Sequence, residues 1–173
     1  MSSENSGNRR TLGITYPGTS QPVQSRTMYD EQFVGPMRRD LTGAGFTELR
    51  TAEAVDEALP NAEGTALVVV NSICGCSARM ARPAVKAALE RTKAPDHLYT
   101  VFAGQDADAT ERARSYFIGY PPSSPSIALL RDGQLVWMME RWQIEGRPPE
   151  AIANEIVAAL REHVTGDARE AGG

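Results

Sequence analysis

An α/β fold is expected, with a mixed sheet, helices on both faces and an extra helix at the N-terminal end. Three features of this 173-residue sequence point to it. The run Ala66-Leu67-Val68-Val69-Val70 has no polar alternation, the pattern of a strand buried on both faces, as in parallel sheets. Strand-like and helix-like segments alternate along most of the chain, which implies parallel pairing through helical crossovers. Asp132-Gly133 separates two apolar runs and is a strong two-residue hairpin signal, adding antiparallel strands near the end.

The elements follow in order. Residues 1–27 are rich in Ser, Gly, Asn, Gln, Thr and Arg with little apolar periodicity, so a disordered or loosely attached tail is expected there. One domain is expected over residues 28–165, with a second tail over 166–173. Phe33, Val34, Met37 and Leu41 recur at helical spacing and predict an amphipathic helix ended by Gly43-Ala44-Gly45. Pro36 inside it would kink the helix or move its start, and Arg38, Arg39 and Asp40 read as its solvated face. Phe46 to Arg50 reads as a short strand. Thr51 is suited to cap a helix through Leu59, with Glu53 in the first turn. After the Val-rich strand, Met80, Ala84 and Ala88 form a helical stripe with Val85 and Leu89 beside it. Leu98 to Ala103 is a further buried strand. Asp106 or Asp108 is placed to cap a helix carrying Ala109, Ala113, Tyr116 and Phe117, which Gly119 ends and Pro121-Pro122 keeps from resuming. Ile127 to Leu130 and Leu135 to Met139 are the hairpin strands. Pro148-Pro149-Glu150 opens a last helix through Ile152, Ile156, Leu160 and Val164.

Composition narrows the function classes. A net charge of -4 gives no reason to expect nucleic acid or an anionic membrane surface as partner. No stretch approaches the roughly 20 apolar residues that span a bilayer. Arg9 and Arg10 are followed by no apolar segment of the kind a secretory signal needs. The expected compartment is the cytoplasm, where a close cysteine pair points to catalysis or redox sensing.

Both cysteines, Cys74 and Cys76, flank Gly75 where the central strand hands over to a helix. A helix N-terminus presents unpaired N–H groups and partial positive charge, which favour a thiolate over a thiol. Cys74 comes first and is expected to be the exposed, attacking sulfur, and Cys76 the resolving one. Residues two apart in a turn lie within the roughly 4.4–6.8 Å Cα separation a disulfide needs. The ring would be small and strained, hence labile, and glycine between the sulfurs tolerates the backbone it demands. Simple burial as small hydrophobes is the plain alternative. Metal binding has little support, because His97 and His163 lie far off with no ligand spacing. Asn71 and Ser72 either support the site or merely cap the helix, and Arg82 either supports it or is a solvated helix charge.

Several motifs together resemble the bacilliredoxin family, and the element order resembles the thioredoxin fold. They are Val68-Val69-Val70-Asn71-Ser72-Ile73-Cys74-Gly75-Cys76, Ala81-Arg82-Pro83-Ala84, Val101-Phe102-Ala103-Gly104-Gln105-Asp106, Ser123-Ser124-Pro125-Ser126 and Ile144-Glu145-Gly146. Pro36-Met37-Arg38-Arg39 and Leu41-Thr42-Gly43-Ala44-Gly45-Phe46 fit the family's first helix and turn. The resemblance spans about residues 29–164. It implies a thiol–disulfide oxidoreductase that removes bacillithiol from mixed disulfides on cytosolic client proteins, with no bound cofactor and with bacillithiol as thiol co-substrate. It implies further that Pro125 is a cis-proline facing the cysteines, and that Pro125 and Ser124 shape a groove for the client. Ser77-Ala78-Arg79-Met80 is bulkier and more charged than the family's small residues, which bears on the client preference of that groove. The alternatives are a general protein disulfide reductase or isomerase, a non-catalytic binding module of this fold, and a sensor switched by a Cys74–Cys76 bond.

Overall fold

A computed structural model describes residues 28–166, so both expected tails fall outside the described residues apart from Gly166. The elements are α1 (Glu31–Thr42), β1 (Thr47–Glu48), α2 (Ala52–Ala58), β2 (Thr65–Asn71), α3 (Arg82–Arg91), β3 (His97–Phe102), α4 (Ala107–Arg114), β4 (Ser126–Arg131), β5 (Gln134–Met139), α5 (Arg141–Ile144) and α6 (Pro149–Leu160). The five strands lie in the order β1-β3-β2-β4-β5. β3 runs parallel to both β1 and β2, and the closing pairs β2–β4 and β4–β5 are antiparallel.

Every residue of β2 is buried, as its unbroken apolar run predicts for a central strand. Its side chains alternate between two cores. Leu67 and Val69 meet Leu41, Val85, Ala88, Ile152 and Ile156 on one face. Val68 and Val70 meet Val55, Leu59, Ala109 and Ala113 on the other. Helices α1, α3 and α6 therefore cover one side and α2 and α4 the other, as expected. Thr51 accepts a hydrogen bond from the Ala54 amide as the predicted cap of α2. Asp132 and Gly133 both have positive φ, at 48° and 76°, the conformation a tight hairpin demands.

The structure corrects the sequence in four places. Phe33 is 56% exposed rather than part of the buried stripe. Pro36 lies inside α1 without moving its start, which Asp30 caps. Helix α4 stops at Arg114, leaving Tyr116 and Phe117 in the turn beyond it. Asp106 sits at the N-cap of α4, but its carboxylate turns to Arg38 instead. That last point overturns the reading of Arg38 as a solvated charge.

Arg38 is buried, and its guanidinium bonds Asp106 at 2.6 Å and Glu31 at 3.0 Å, with Glu48 as a third partner. It also lies over the Phe102 ring, 5.2 Å from the centroid. A charge leaves water at this depth only when paired on several sides. The ion cluster thus clips α1 to β1 and to the turn after β3. Gln105, wholly buried, adds a second clip by pairing its amide with both the N–H and the carbonyl of Tyr29.

Arg38→Ala leaves the buried Asp106 carboxylate short of a partner and is expected to destabilise the fold by about 3 kcal/mol. Urea melts of the two proteins measure this, and a midpoint equal to that of the parent would refute the assigned role.

Candidate functional site

The site is built at the C-terminal end of β2. Asn71, 1% exposed, is its last residue, and the carboxamide closes a polar knot there. The Asn71 Oδ1 accepts from the Ser72 N–H, the Ser77 hydroxyl and Arg82 Nη1, each at 2.9 Å. Its Nδ2 donates to the Met37 carbonyl of α1 at 3.1 Å. Arg82 Nη1 also donates to the Ser72 carbonyl at 3.1 Å and to Ser77 Oγ at 3.2 Å. Arg82 is 5% exposed, so the solvated reading of that side chain is wrong. Its counter-charge is Asp40, whose carboxylate accepts from Arg82 Nε at 3.0 Å and from Lys86 Nζ at 2.7 Å. Asn71 and Ser72 therefore do more than cap a helix: they are the acceptors around which a buried guanidinium fixes the chain before the cysteines.

Beyond Ser72 the chain turns into the helix. The Cys74 carbonyl accepts from the amides of Ser77 and Ala78, both at 3.1 Å, so Cys74 takes the N-cap position. Gly75 is exposed, and a side chain there would meet nothing within 4 Å. The helix does not run on evenly as the sequence predicts. Ser77–Ala81 form a π-helical turn, in which the Arg82 amide reaches back five residues to the Ser77 carbonyl. Pro83 supplies the reason: it has no N–H to give, and its ring crowds the carbonyl four residues back, that of Arg79. A widened turn just before the proline relieves both and rolls Arg82 inward under the loop.

Both cysteines are half-buried free thiols. Cys74 Sγ lies 3.0 Å from Ser72 Oγ. Burial pushes the Cys76 thiol up, and the nearby charge of Cys74 and the Glu145 carboxylate push it the same way, while Arg141 opposes them. Among the described residues, no group of three or more His, Cys, Asp or Glu side chains comes together to hold a metal ion. Nor is any described helix long and apolar enough to cross a membrane.

The Ser124–Pro125 peptide is cis. The antiparallel register pairs Val70 with Ser126, so the cis peptide lies just ahead of β4, at the end of β2 from which the cysteine turn departs. Ser124 is half-buried and Pro125 buried. Two arginines secure this segment. Arg114 Nη2 donates to the Ser123 carbonyl at 3.2 Å, and Arg141 Nη1 to the Ser124 carbonyl at 3.3 Å. The Arg141 amide donates to Ser123 Oγ at 2.7 Å.

The sequence reading gave Arg141 no role, left Glu145 as part of a motif only, did not foresee the Ser77 bond to Asn71, and took Asp40 for a solvated charge where it pairs with Arg82 and Lys86. Arg141 opens the four-residue α5, which a reciprocal bond between the ends of Glu140 and Gln143 caps. The acidic residue three before Gln143 was the available signal. Nothing in the sequence could have paired Asp40 with Arg82, 42 positions apart.

The family model described as Disulphide isomerase matches residues 29–164. A bacilliredoxin of Shouchella clausii is 54% identical over 135 residues, covering 78% of this chain and 93% of the relative. A bacilliredoxin of Symbiobacterium thermophilum is 57% identical over 125 residues, covering 72% and 89%. A solved structure described as having a thioredoxin fold superposes with a TM-score of 0.50 at 18% identity, over 65% of this chain and 94% of that one. The last likeness is one of fold, and this fold is thioredoxin-like.

Burial alone would raise the Asp40 carboxyl, but hydrogen bonds from Lys86 and Arg82 outweigh it and hold the group below the usual carboxylate range. A depressed folded value means stabilisation that is complete above the unfolded value and is lost as pH falls through the folded one. The melting temperature should therefore decline below about pH 4. Asp40→Asn should lower it at neutral pH and flatten that acid limb without abolishing it, because Glu31, Asp56 and Asp96 are depressed too. An acid limb of undiminished slope in the variant would refute the link.

Proposed function

The chain belongs to the bacilliredoxin family and is a thiol–disulfide oxidoreductase, and from that premise we propose that Cys74 and Cys76 remove bacillithiol from mixed disulfides on cytosolic proteins. The observation that carries this reading is the pair of half-buried free thiols at a helix start, Cys74 at the N-cap with the dipole's positive end behind it.

The scheme has two exchanges. The Cys74 thiolate attacks the bacillithiol sulfur of the mixed disulfide. A new S–S bond forms to Cys74, the old one breaks, and the client sulfur leaves as thiolate and takes up a proton. Cys76 then loses its proton and attacks Cys74 Sγ, and bacillithiol leaves. The mixed disulfide is reduced by two electrons, to client thiol and bacillithiol, and the Cys74–Cys76 dithiol is oxidised by two. The Cys76 thiol, pushed up first by burial and then by the charge of Cys74, suits the second, resolving position in this scheme. Pro125 and Ser124 border the approach to Cys74 in this scheme, and Gly75, Asn71, Ser72 and Arg82 hold the turn that presents it.

A second reading, a general protein disulfide reductase or isomerase, is favoured by the description of the matching family model. It uses the same thiols and differs in the disulfide taken.

Cys74→Ser is expected to abolish exchange, since the attacking sulfur is gone; retained turnover would refute its role. Cys76→Ser should leave the first attack intact and let a bacillithiol adduct accumulate on Cys74, seen as an intact-mass increase. Running bacillithiol and glutathione mixed disulfides side by side decides between the readings. Preferential adduct formation from the bacillithiol substrate supports the proposal, and equal use of both favours the general reductase.

A further inference from the structure

Ser72 touches the sulfur of Cys74 and has no structural task for its side chain. Its Oγ lies 3.0 Å from Cys74 Sγ, and among the described residues the hydroxyl has no other hydrogen-bond partner. The residue is 7% exposed. Its backbone is held without the hydroxyl: the N–H donates to Asn71 Oδ1 at 2.9 Å, and the carbonyl accepts from Arg82 Nη1 at 3.1 Å. A backbone fixed on both sides thus aims the side chain at the sulfur. Capping does not account for it, since the hydroxyl bonds no described amide of the helix that follows.

The direction of the bond follows from the charge state. A thiolate has no proton to give, so whenever Cys74 is ionised the hydroxyl donates and the sulfur accepts. Such a bond is roughly twice as strong as one between neutral groups. In a disulfide the same sulfur is neutral and accepts only weakly. The charged groups about the turn are occupied: Arg82 beneath it pairs with Asp40, Arg141 on α5 pairs with Glu145, and Arg79 is exposed. On α6, which packs against the π-helical turn, Glu150 and Glu155 are engaged by Arg91 and Arg147. Cys76 is the ionisable neighbour in the turn itself.

We propose that the Ser72 hydroxyl is a catalytic hydrogen-bond donor that holds Cys74 as thiolate and eases its release from disulfides. The inference deepens the exchange reading and rests on it for the identity of the attacking sulfur. In the attack, Cys74 Sγ forms its bond to the bacillithiol sulfur, the mixed disulfide breaks, and the client sulfur leaves with the electron pair and takes a proton from solvent. Ser72 keeps its own proton throughout. In the return to the dithiol, a low-molecular-weight thiolate attacks Cys76 Sγ, the Cys74–Cys76 bond breaks, and Cys74 leaves as the thiolate that the hydroxyl meets. A second such thiolate then displaces Cys76, so that two external thiols are oxidised to a disulfide and the pair is reduced by two electrons. The donor stabilises Cys74 as thiolate and not as disulfide, and therefore favours the reduced pair over the oxidised one.

Two measurements on the full chain test this, with thermal melts showing that each variant folds. Ser72→Ala removes the hydroxyl and leaves both backbone bonds in place; Ser72→Gly repeats the loss. The first measurement is the ratio of thiolate to thiol at Cys74, read from ultraviolet thiolate absorbance across pH in the Cys76→Ser background. Ser72→Ala should lower that ratio about tenfold at a given pH, the lower end of what a hydrogen bond to a charged group contributes. Ser72→Thr, which keeps a hydroxyl, should restore it. The second is the equilibrium of the Cys74–Cys76 pair with reduced and oxidised glutathione, at a pH where Cys74 is ionised with and without the hydroxyl. There Ser72→Ala should move the pair toward its disulfide by a similar factor. A serine that merely packed would shift neither. An unchanged thiolate ratio in the folded variants lacking the hydroxyl, or a Thr variant as low as the Ala one, overturns the proposal. Shifts as stated, with no bacillithiol adduct ever forming on Cys74, overturn instead the exchange reading and leave the hydroxyl's action on the sulfur standing.

Discussion

One buried guanidinium underlies the turn that carries the thiols. Arg82 meets the Asn71 side chain, the Ser72 carbonyl and the Ser77 hydroxyl, three acceptors contributed before and after the cysteines. It thereby joins both ends of the loop, together with the bonds that Asn71 Oδ1 accepts from Ser72 and Ser77. A charge cannot be buried there alone, and Asp40 answers it from α1. The same helix accepts from Asn71 through the Met37 carbonyl. The extra N-terminal helix is therefore part of the floor beneath the cysteine turn, to which Met37 and Asp40 tie it.

The π-helical turn follows from the same arrangement. Without Pro83, residues 77–91 would wind as a regular helix and turn position 82 by a different angle toward the sheet. The widened turn lets a long, charged side chain enter the space beneath Ser72 while Ala81, Ala84, Val85 and Ala88 remain against the core. Small side chains make room for it, so the alanine-rich composition after the cysteines suits both packing and the polar knot. At the cis Ser124–Pro125 peptide the carbonyls of Ser123 and Ser124 are taken up by Arg114 and Arg141.

Much of this was legible in the sequence, because hydropathy periodicity reports what faces a core. The unbroken Val68-Val69-Val70 run, the Asp132-Gly133 hairpin and the Thr51 cap each became what their local chemistry dictates. Cys74, Cys76 and Pro125 were legible as residue types at informative places. Periodicity failed where charges enter the interior. Arg38 and Arg82 look like surface residues in any pattern of polar and apolar letters, and what buries them is pairing with Asp106, Glu48 and Asp40 across long stretches of chain. The four-residue α5 was missed for a related reason: it is too short to show a period, and its cap and its Arg141 anchor are specified by contacts to Ser123 and Ser124.

The two sets of charges around the thiols differ in depth, and depth decides what each can do. Arg82 and its acceptors are out of water, where a lost partner costs several kcal/mol, so they specify one conformation of the turn and tolerate little variation. Arg141 and Glu145 are half in water, where a pair contributes at most about 1 kcal/mol and salt screens it. Such a pair is too weak to hold a loop in place. A change at Arg82 or Asp40 therefore disturbs the turn as a whole, whereas a change at Arg141 or Glu145 leaves that scaffold standing.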